Sequence, residues 1–384
     1  MTCCGTKLAL PPTEVEAMKI ESVETTICRV PIRHSGRLGV GSLEEIDLVI
    51  VRVKTDDGIE GIGECSPWAV FAENAFAIKA TIDHYLGPAM VGLSPLNVEA
   101  ALLAMDAVHY GSPFAKAGVE MAILDAAGKA LNQPVYNLIG GLVRDRVNLS
   151  YSVTNQDIEE DLAESRWLLD QGFKVFKIKT GVLPFKIEVE RMAALRKLVG
   201  DKFDLRIDFN QGGKREHVLK LCRELEAFNP TFIEQPVKSW DLDGMVALAA
   251  ALDTPLVADE SVLSWEQGFQ VAKRAAADII SIKLAKTGGI IRGKKVAAVC
   301  EAAGMPCYAG AMWESGIGIA AHLHFACSTP AVKYGSDYYI CNYLMTDDLI
   351  RAPLNVEDGD ILVPHGPGLG VDVDWDAVER YALK

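Results

Sequence analysis

The sequence is short of positive charge. Its 38 lysines and arginines face 52 aspartates and glutamates, a formal net charge of −14. Such a surface repels phosphate backbones, so no nucleic acid is expected as a partner. A local cluster of lysines around a bound cation can still admit an anionic substrate. No run of about 18 apolar residues occurs, so no membrane-spanning helix is expected. Residues 1–17 lack the basic-then-apolar order of a signal peptide. They read as a disordered lead or a start placed too early, since Met18 opens the first strand-like segment. The nine cysteines are scattered without metal-ligand spacing. Free thiols in a reducing cytoplasm are the expected state. A short Gly-rich fingerprint opening a first helix is also missing, which speaks against a dinucleotide site.

What is present fits a large globular chain. The 384 residues are 49% hydrophobic and 23% charged, enough for two domains or for a barrel with a smaller cap. Residues 18–30 and 47–55 alternate apolar and polar side chains, and Asp56-Asp57-Gly58 turns the chain into 59–64, giving an antiparallel meander. Helices are expected at 73–85, 95–108 and 114–131, the last with an apolar stripe through Val119, Ile123, Ala126 and Ala127. This makes 18–140 an α+β capping domain.

After Gly140-Gly141 short apolar strands alternate with amphipathic helices. Strands are expected at 147–153, 175–179, 205–208, 231–234, 256–259, 279–283, 307–310 and 332–335. Helical stretches such as 158–171, 187–199 and 216–228 lie between them. Eight strands match a closed parallel barrel better than an open sheet. The catalytic domain is thus an α/β barrel over 141–348. The segment 349–384, with Pro353, Pro364 and Pro367, is expected to leave the barrel and return to the capping domain.

A parallel barrel gathers its reactive groups at the C-terminal ends of its strands. Here those ends read Lys177-Ile178-Lys179, Asp208-Phe209-Asn210, Glu234-Gln235-Pro236, Asp259-Glu260-Ser261 and Lys283. Each lies one β/α unit beyond the last, so the charges recur at one height around a ring. Asp208, Glu234 and Asp259 offer hard oxygen donors suited to Mg²⁺ or Mn²⁺. Zinc is disfavoured because no His or Cys joins them. Lys177 and Lys179 are two apart on one strand and share a face. Crowded ammonium groups lower one another's pKa, so a lysine acting as base near neutral pH is expected. Lys283 comes from across the barrel.

The motif set KIK, DFN, IEQP, ADES and SIKLAKTGG resembles the enolase superfamily, in its muconate lactonizing enzyme (muconate cycloisomerase-like) subgroup. The likeness runs from about Met18 to PHGPGLGV at 364–371. It implies a modified TIM barrel, (β/α)7β, under an N-terminal α+β cap. Enzymes of this superfamily use a Lys or His base with one or two Mg²⁺ ions. The resemblance assigns Asp208, Glu234 and Asp259 as metal ligands and Lys179 and Lys283 as the acid/base pair, with Lys177 tuning Lys179. Asn210 and Glu260 match supporting positions. The stretch 31–42, with His34, and the turn at Pro67-Trp68 would touch substrate as a mobile lid. Trp313-Glu314 follows the seventh strand. Asp337 follows the eighth, where lactonizing enzymes carry a Glu one methylene longer. Dipeptide epimerases show Asp-x-Asp there, but Tyr339 breaks that pattern. The His of mandelate racemases is missing after strand seven, and His322 and His324 read as structural. Lys286-Thr287-Gly288-Gly289 reads as a turn into the next helix rather than a phosphate loop.

The expected chemistry is proton transfer at the carbon α to a small carboxylate, in a homo-oligomeric enzyme. Cycloisomerisation ranks first. Racemisation or epimerisation of an N-substituted or cyclic amino acid follows, then acid-sugar dehydration. A non-catalytic metal-binding protein is disfavoured by the complete set of lysines and acids.

Overall fold

The computed structural model describes residues 18–38, 41–68, 71, 73–155, 157–337 and 344–383, and of 34–38 and 41–43 the backbone alone. The His34 side chain and Tyr339 therefore lie outside the described residues.

The N-terminal unit is a three-stranded antiparallel sheet, β1 (Ile20–Leu38), β2 (Gly41–Thr55) and β3 (Glu60–Cys65). Of the stretch 31–42, expected as a loop, residues 31–38 and 41–42 are instead the outer ends of β1 and β2. Pro31 pairs with Glu45 and Gly36 with Leu43, with a bulge between. Three main helices follow: α1 (Ala75–Thr81), α2 (Val98–Val108) and α3 (Pro113–Ala130).

The sequence suggests a one-sided stripe for α3, but the helix is buried almost all round, Lys116, Glu120 and Asp125 included. Small residues make this possible. Gly61 and Gly63 of β3 let the helix backbone approach so closely that a Cβ on either would sit 2.0 Å from Ala122 O or Gly118 O.

Eight parallel strands form the barrel: β5 (Ser150–Val153), β6 (Val175–Lys179), β7 (Asp204–Asp208), β8 (Ile233–Glu234), β9 (Leu256–Ala258), β10 (Ile279–Ile282), β11 (Cys307–Ala309) and β12 (Val332–Ser336). Each lies beside its successor. Helices α4 (Ile158–Asp170), α5 (Phe185–Val199), α6 (Val218–Glu226), α7 (Leu242–Ala249), α8 (Trp265–Arg274), α9 (Ile290–Ala302) and α10 (Gly316–Cys327) connect them. Among the described residues no backbone ladder joins β12 to β5. Side chains close that seam: Ser336 donates to Asn148 O at 3.0 Å and Ser150 to Asp337 Oδ1 at 3.1 Å.

The expected strand 147–153 is two strands. Leu149 breaks it, and β4 (Arg146–Asn148) turns away to pair with β14 (Asp360–Leu362), which also pairs with β13 (Val356–Glu357). A last helix, α11 (Trp375–Tyr381), leads the chain back to β1, where Leu383 N donates to Ile27 O. The six described cysteines are all buried free thiols. No helix among the described residues is long and apolar enough to cross a membrane.

One histidine ties three segments together. His324 of α10 accepts the Tyr136 N–H on Nδ1 (3.2 Å) and places Nε2 3.1 Å from Leu369 O, so Nε2 carries the proton. Burial lowers its pKa from 6.5 to about 4.

Two outcomes follow. Gly63→Ala should destabilise the chain by about 3 kcal/mol in urea unfolding, since backbone faces the new methyl. The neutral His324 contributes about 3 kcal/mol of stability, present in full above pH 6.5 and lost as pH falls through about 4. Unfolding midpoints of wild type and His324→Gln should therefore diverge above pH 6 and converge near pH 4. Parallel curves would contradict the assignment.

Candidate active site

The strand register builds the ring. Lys179 of β6 pairs with Asp208 of β7, and Asp208 with Glu234 of β8. Glu234 is level with Val257 of β9, so Asp259 stands two residues further along and on the same face. Val257 is level with Ile279 of β10, and Lys283 again lies beyond, on that face. The climb is the stagger that closing a sheet into a barrel requires. Beneath the ring, Phe232, Val257, Ile279 and Tyr308 fill the interior as a small separate cluster. Arg206 stacks there on Phe232 and Tyr308 at 5.0 and 5.1 Å.

The acids and lysines predicted from the sequence meet in this ring. Lys179 Nζ donates to Asp208 Oδ2 (2.6 Å) and to Asn210 Oδ1 (2.7 Å). Lys283 Nζ donates to Asp259 Oδ2 at 2.5 Å. Lys177 lies deeper and donates to Glu234 Oε2 (2.8 Å) and Asp337 Oδ2 (2.6 Å). Burial alone would lower Lys177, but Asp337, Glu234 and Asp208 outweigh it and hold its pKa well above the ordinary lysine value. Lys283 is raised too, as Asp259 and Glu234 overcome its burial. The expected mutual lowering of crowded lysines is thus overturned for Lys177: the nearest charges are carboxylates.

Asn210 takes a left-handed backbone (φ +40°) and bridges Lys179 to Glu260, with Nδ2 3.3 Å from Glu260 Oε1. Asp337 has both oxygens engaged, by Lys177 and Ser150, and so acts on Lys177. Trp68 lies over the site, its ring 5.8 Å from Lys179 Nζ and 5.9 Å from Lys283 Nζ. Trp313 packs against it at 6.4 Å. Both rings also line a cavity of about 600 Å³ on their other side, with Arg29, Asp47, Pro67 and Glu73; none of the ring lysines or acids lines it. Glu314, a candidate to support the site or bind substrate, accepts the Met312 N–H at 2.9 Å and lies 3.2 Å from His322 Nε2.

Three contributors were not singled out in the sequence. Lys286 is fully buried and donates to Asp259 Oδ1 (2.7 Å) and Asp259 O (2.6 Å), so its motif does more than turn the chain. Gln235 (φ +35°) accepts the N–H groups of Asp259 and Ser261 on Oε1 at 3.0 and 3.2 Å, fixing the end of β9. Glu64 of β3 accepts both the N–H (3.0 Å) and the hydroxyl of Ser315, holding the turn that carries Trp313. The KLAK spacing, which puts two lysines one helical turn apart, is the only signal that could have marked Lys286.

Hard donors for a divalent cation are present. Glu234 Oε1 and Glu260 Oε2 are buried without a hydrogen-bond partner among the described residues. Burial pushes Glu234 up to about 8 and Glu260 up to about 7. A buried carboxylate oxygen with no partner, amid other acids, suits a cation. The cage is not preformed: no three His, Cys, Asp or Glu side chains among the described residues are gathered closely enough to hold a metal. Asp208, Glu234 and Asp259 each face a lysine instead.

Removing Lys286 leaves Asp259 short of one of its two cations. Lys286→Met should cost about 3 kcal/mol in urea unfolding measured in chelator. A loss below about 1 kcal/mol, the level of an exposed ion pair, would contradict the burial of that pair.

Two family models match the chain: the mandelate racemase / muconate lactonizing enzyme N-terminal domain over residues 22–140 and the enolase C-terminal domain-like model over 160–377. Muconate cycloisomerase 1 of Pseudomonas putida is 35% identical over 371 residues, covering 95% of this chain and 99% of that protein. The muconate lactonizing enzyme of Pseudomonas fluorescens, solved with muconolactone, superposes with a TM-score of 0.92 at 33% identity, over 96% of this chain and 100% of that one. The N-succinyl Arg/Lys racemase of Bacillus cereus superposes with a TM-score of 0.91 at 33% identity, over 95% and 98%. Enzymes of this kind depend on a divalent metal. The lysine and acid ring thus sits in a chain that belongs to the mandelate racemase/muconate lactonizing enzyme family of the enolase superfamily and is an isomerase.

Proposed function

We propose that this isomerase is a Mg²⁺-dependent cycloisomerase that lactonises a muconate-type unsaturated dicarboxylate. The observation that carries the reading is the pair Lys179 and Lys283. They stand on strands four apart in an eight-stranded barrel, each bonded to a different acid and each under the Trp68 ring. The relatedness to muconate cycloisomerases over nearly the whole chain supports it.

In this reading one substrate carboxylate lies at the acid ring, with its α-carbon between the two lysines. The other carboxylate adds through oxygen to the distal double bond. A C–O bond forms, and the π electrons move to the α-carbon and its carboxylate as an enediolate. Lys179 delivers a proton to that carbon and is reprotonated from water, so one proton is consumed per lactone formed. Asp208 and Asn210 hold Lys179 in place. Lys283, bonded to Asp259 on the opposite side, is an ammonium that offsets the developing charge. Asp208, Glu234 and Asp259 would hold Mg²⁺, which supplies the positive charge that stabilises the enediolate oxygens. Trp68 and Trp313 exclude water from this carbon. Residues 18–140 act as the cap and 349–384 fasten it, in a cytoplasmic homo-oligomer.

A second reading rests on the same symmetry. Two lysines at nearly equal distances from Trp68 can take and return a proton on opposite faces of one carbon, as a racemase of N-acyl amino acids requires. Dehydration ranks third among the catalytic readings; Asp337 is committed to Lys177 and Ser150.

Lys179→Ala should lower turnover of cis,cis-muconate by about 10³-fold, followed as loss of its ultraviolet absorbance, while calorimetric Mg²⁺ binding persists. Retained turnover would remove Lys179 from proton transfer. Glu234→Gln should weaken Mg²⁺ binding at least ~10-fold; unchanged affinity would exclude Glu234 as a ligand.

A further inference from the structure

Glu120 belongs to α3 of the N-terminal unit and is fully buried. Its carboxylate reaches into the barrel domain. Oε2 accepts the N–H of Ile290, and Oε1 that of Ile291 at 2.8 Å. These are the first two residues of α9. Their N–H groups have no partner within the helix, and the helix dipole favours an anion there.

The chain between Lys283 and Ile291 has little slack. Leu284–Thr287 is a single helical turn, closed by Thr287 Oγ1 donating to Lys283 O at 3.0 Å. Gly288 and Gly289 then take φ of +85° and +117°, and a Cβ on Gly289 would lie 2.1 Å from Glu120 Oε2. At the front of this turn Lys283 and Lys286 both grip Asp259, at 2.5 and 2.7 Å. One short turn therefore carries two lysines of the ring on one side and the carboxylate of another unit on the other.

We propose that Glu120 is a positioning residue for the reaction, holding the turn that aims Lys283 and Lys286 at Asp259. The N-terminal unit then does more than cover the barrel mouth: it fixes one of the two site lysines from behind. The inference rests on the role given to Lys283 above. Displacing a reacting group by about 1 Å costs on the order of 100-fold in rate, so a loosened turn should appear in kcat. In the proposed reading the substrate carboxylate lies at the acid ring, where Asp208 and Glu234 are independent of this turn, so KM should change less than kcat.

Asp125 provides the control. It lies on the same helix and is as deeply buried, but it accepts from Ile62 N (2.8 Å) and Leu369 N (2.7 Å) and binds Lys129 (2.6 Å), with no hydrogen bond to the 283–291 turn. Its loss should weaken the fold without moving Lys283.

The test compares wild type, Glu120→Gln and Asp125→Asn in kcat, KM, melting temperature and amide hydrogen exchange. In Glu120→Gln an amide NH2 replaces one accepting oxygen and confronts a backbone N–H. Its kcat should fall roughly 10- to 100-fold with KM within about two-fold, and exchange at Ile290 and Ile291 should accelerate. Asp125→Asn should melt lower yet keep its kcat. Wild-type kcat in Glu120→Gln, or an equal kcat loss in Asp125→Asn, overturns the proposal. If Glu120→Gln does not fold, Glu120→Asp keeps the charge but withdraws it by one methylene; the same kcat loss is expected and full activity overturns the proposal. The rates are read on whichever carboxylate the wild type converts. A failure of the cycloisomerase reading then shows as a wild type inactive on muconate, and the comparison of variants still decides this one.

Discussion

Asp208, Glu234, Asp259, Glu260 and Asp337 are buried at one end of the barrel together with Lys177, Lys179, Lys283 and Lys286. None of these charges could occupy that place alone, because an unpaired buried ion costs several kcal/mol. They pair off in two groups: Lys177 between Glu234 and Asp337 with Asp208 at 3.3 Å and Lys179 on Asp208, and Lys283 and Lys286 sharing Asp259. The acids exceed the lysines by one. The shortfall falls on Glu234 and Glu260, the two with orphaned oxygens and pKa values pushed up by burial. A site of this composition is built to take in further positive charge. It also holds each lysine in a fixed place by the acids that would serve a metal.

The rest of the fold keeps these groups in position. Barrel stagger sets the height of each strand end, and Gln235 and Asn210 lock two of them through left-handed backbone turns. The N-terminal unit grips two consecutive turns, Glu120 behind the one that carries Lys283 and Glu64 at the one that carries Trp313. Ser66 adds a contact to Trp313 N at 3.3 Å, and Trp68 lies over both lysines. The sheet that supplies Glu64, Ser66 and Trp68 can approach α3 only because Gly61 and Gly63 leave room. Small residues far from the chemistry are thereby linked to the shape of the site.

Much of this was legible in the sequence. Each ring residue ends an apolar run that is short enough to be a strand, and such runs recur once per β/α unit. The eight strands and the main helices could be placed for that reason. What escaped has a common cause. Glu120, Glu64 and Gln235 act on backbone N–H groups, most of them distant in sequence, and no periodicity reports such a partner. Lys286 looked like part of a turn because its acid is on another strand. The segment 147–153 reads as one strand because its apolar pattern is continuous, while its first residues are drawn off by Asp360–Leu362. The raised pKa of Lys177 could not be seen from KIK alone, since Asp337, its closest acid, follows the last barrel strand. The 31–42 stretch reads as a loop from its polar and glycine content, yet hairpin pairing carries through most of it.

The most direct test of the account is proton NMR of cis,cis-muconate with the Mg²⁺-loaded enzyme in D₂O. The account predicts a lactone carrying one deuteron at the carbon next to its free carboxylate, delivered to a single face, and no deuterium elsewhere. Lactone formed without that deuteron, or with deuterium on both faces, would contradict delivery of the proton by a fixed lysine to the α-carbon of a carboxylate held at the acid ring.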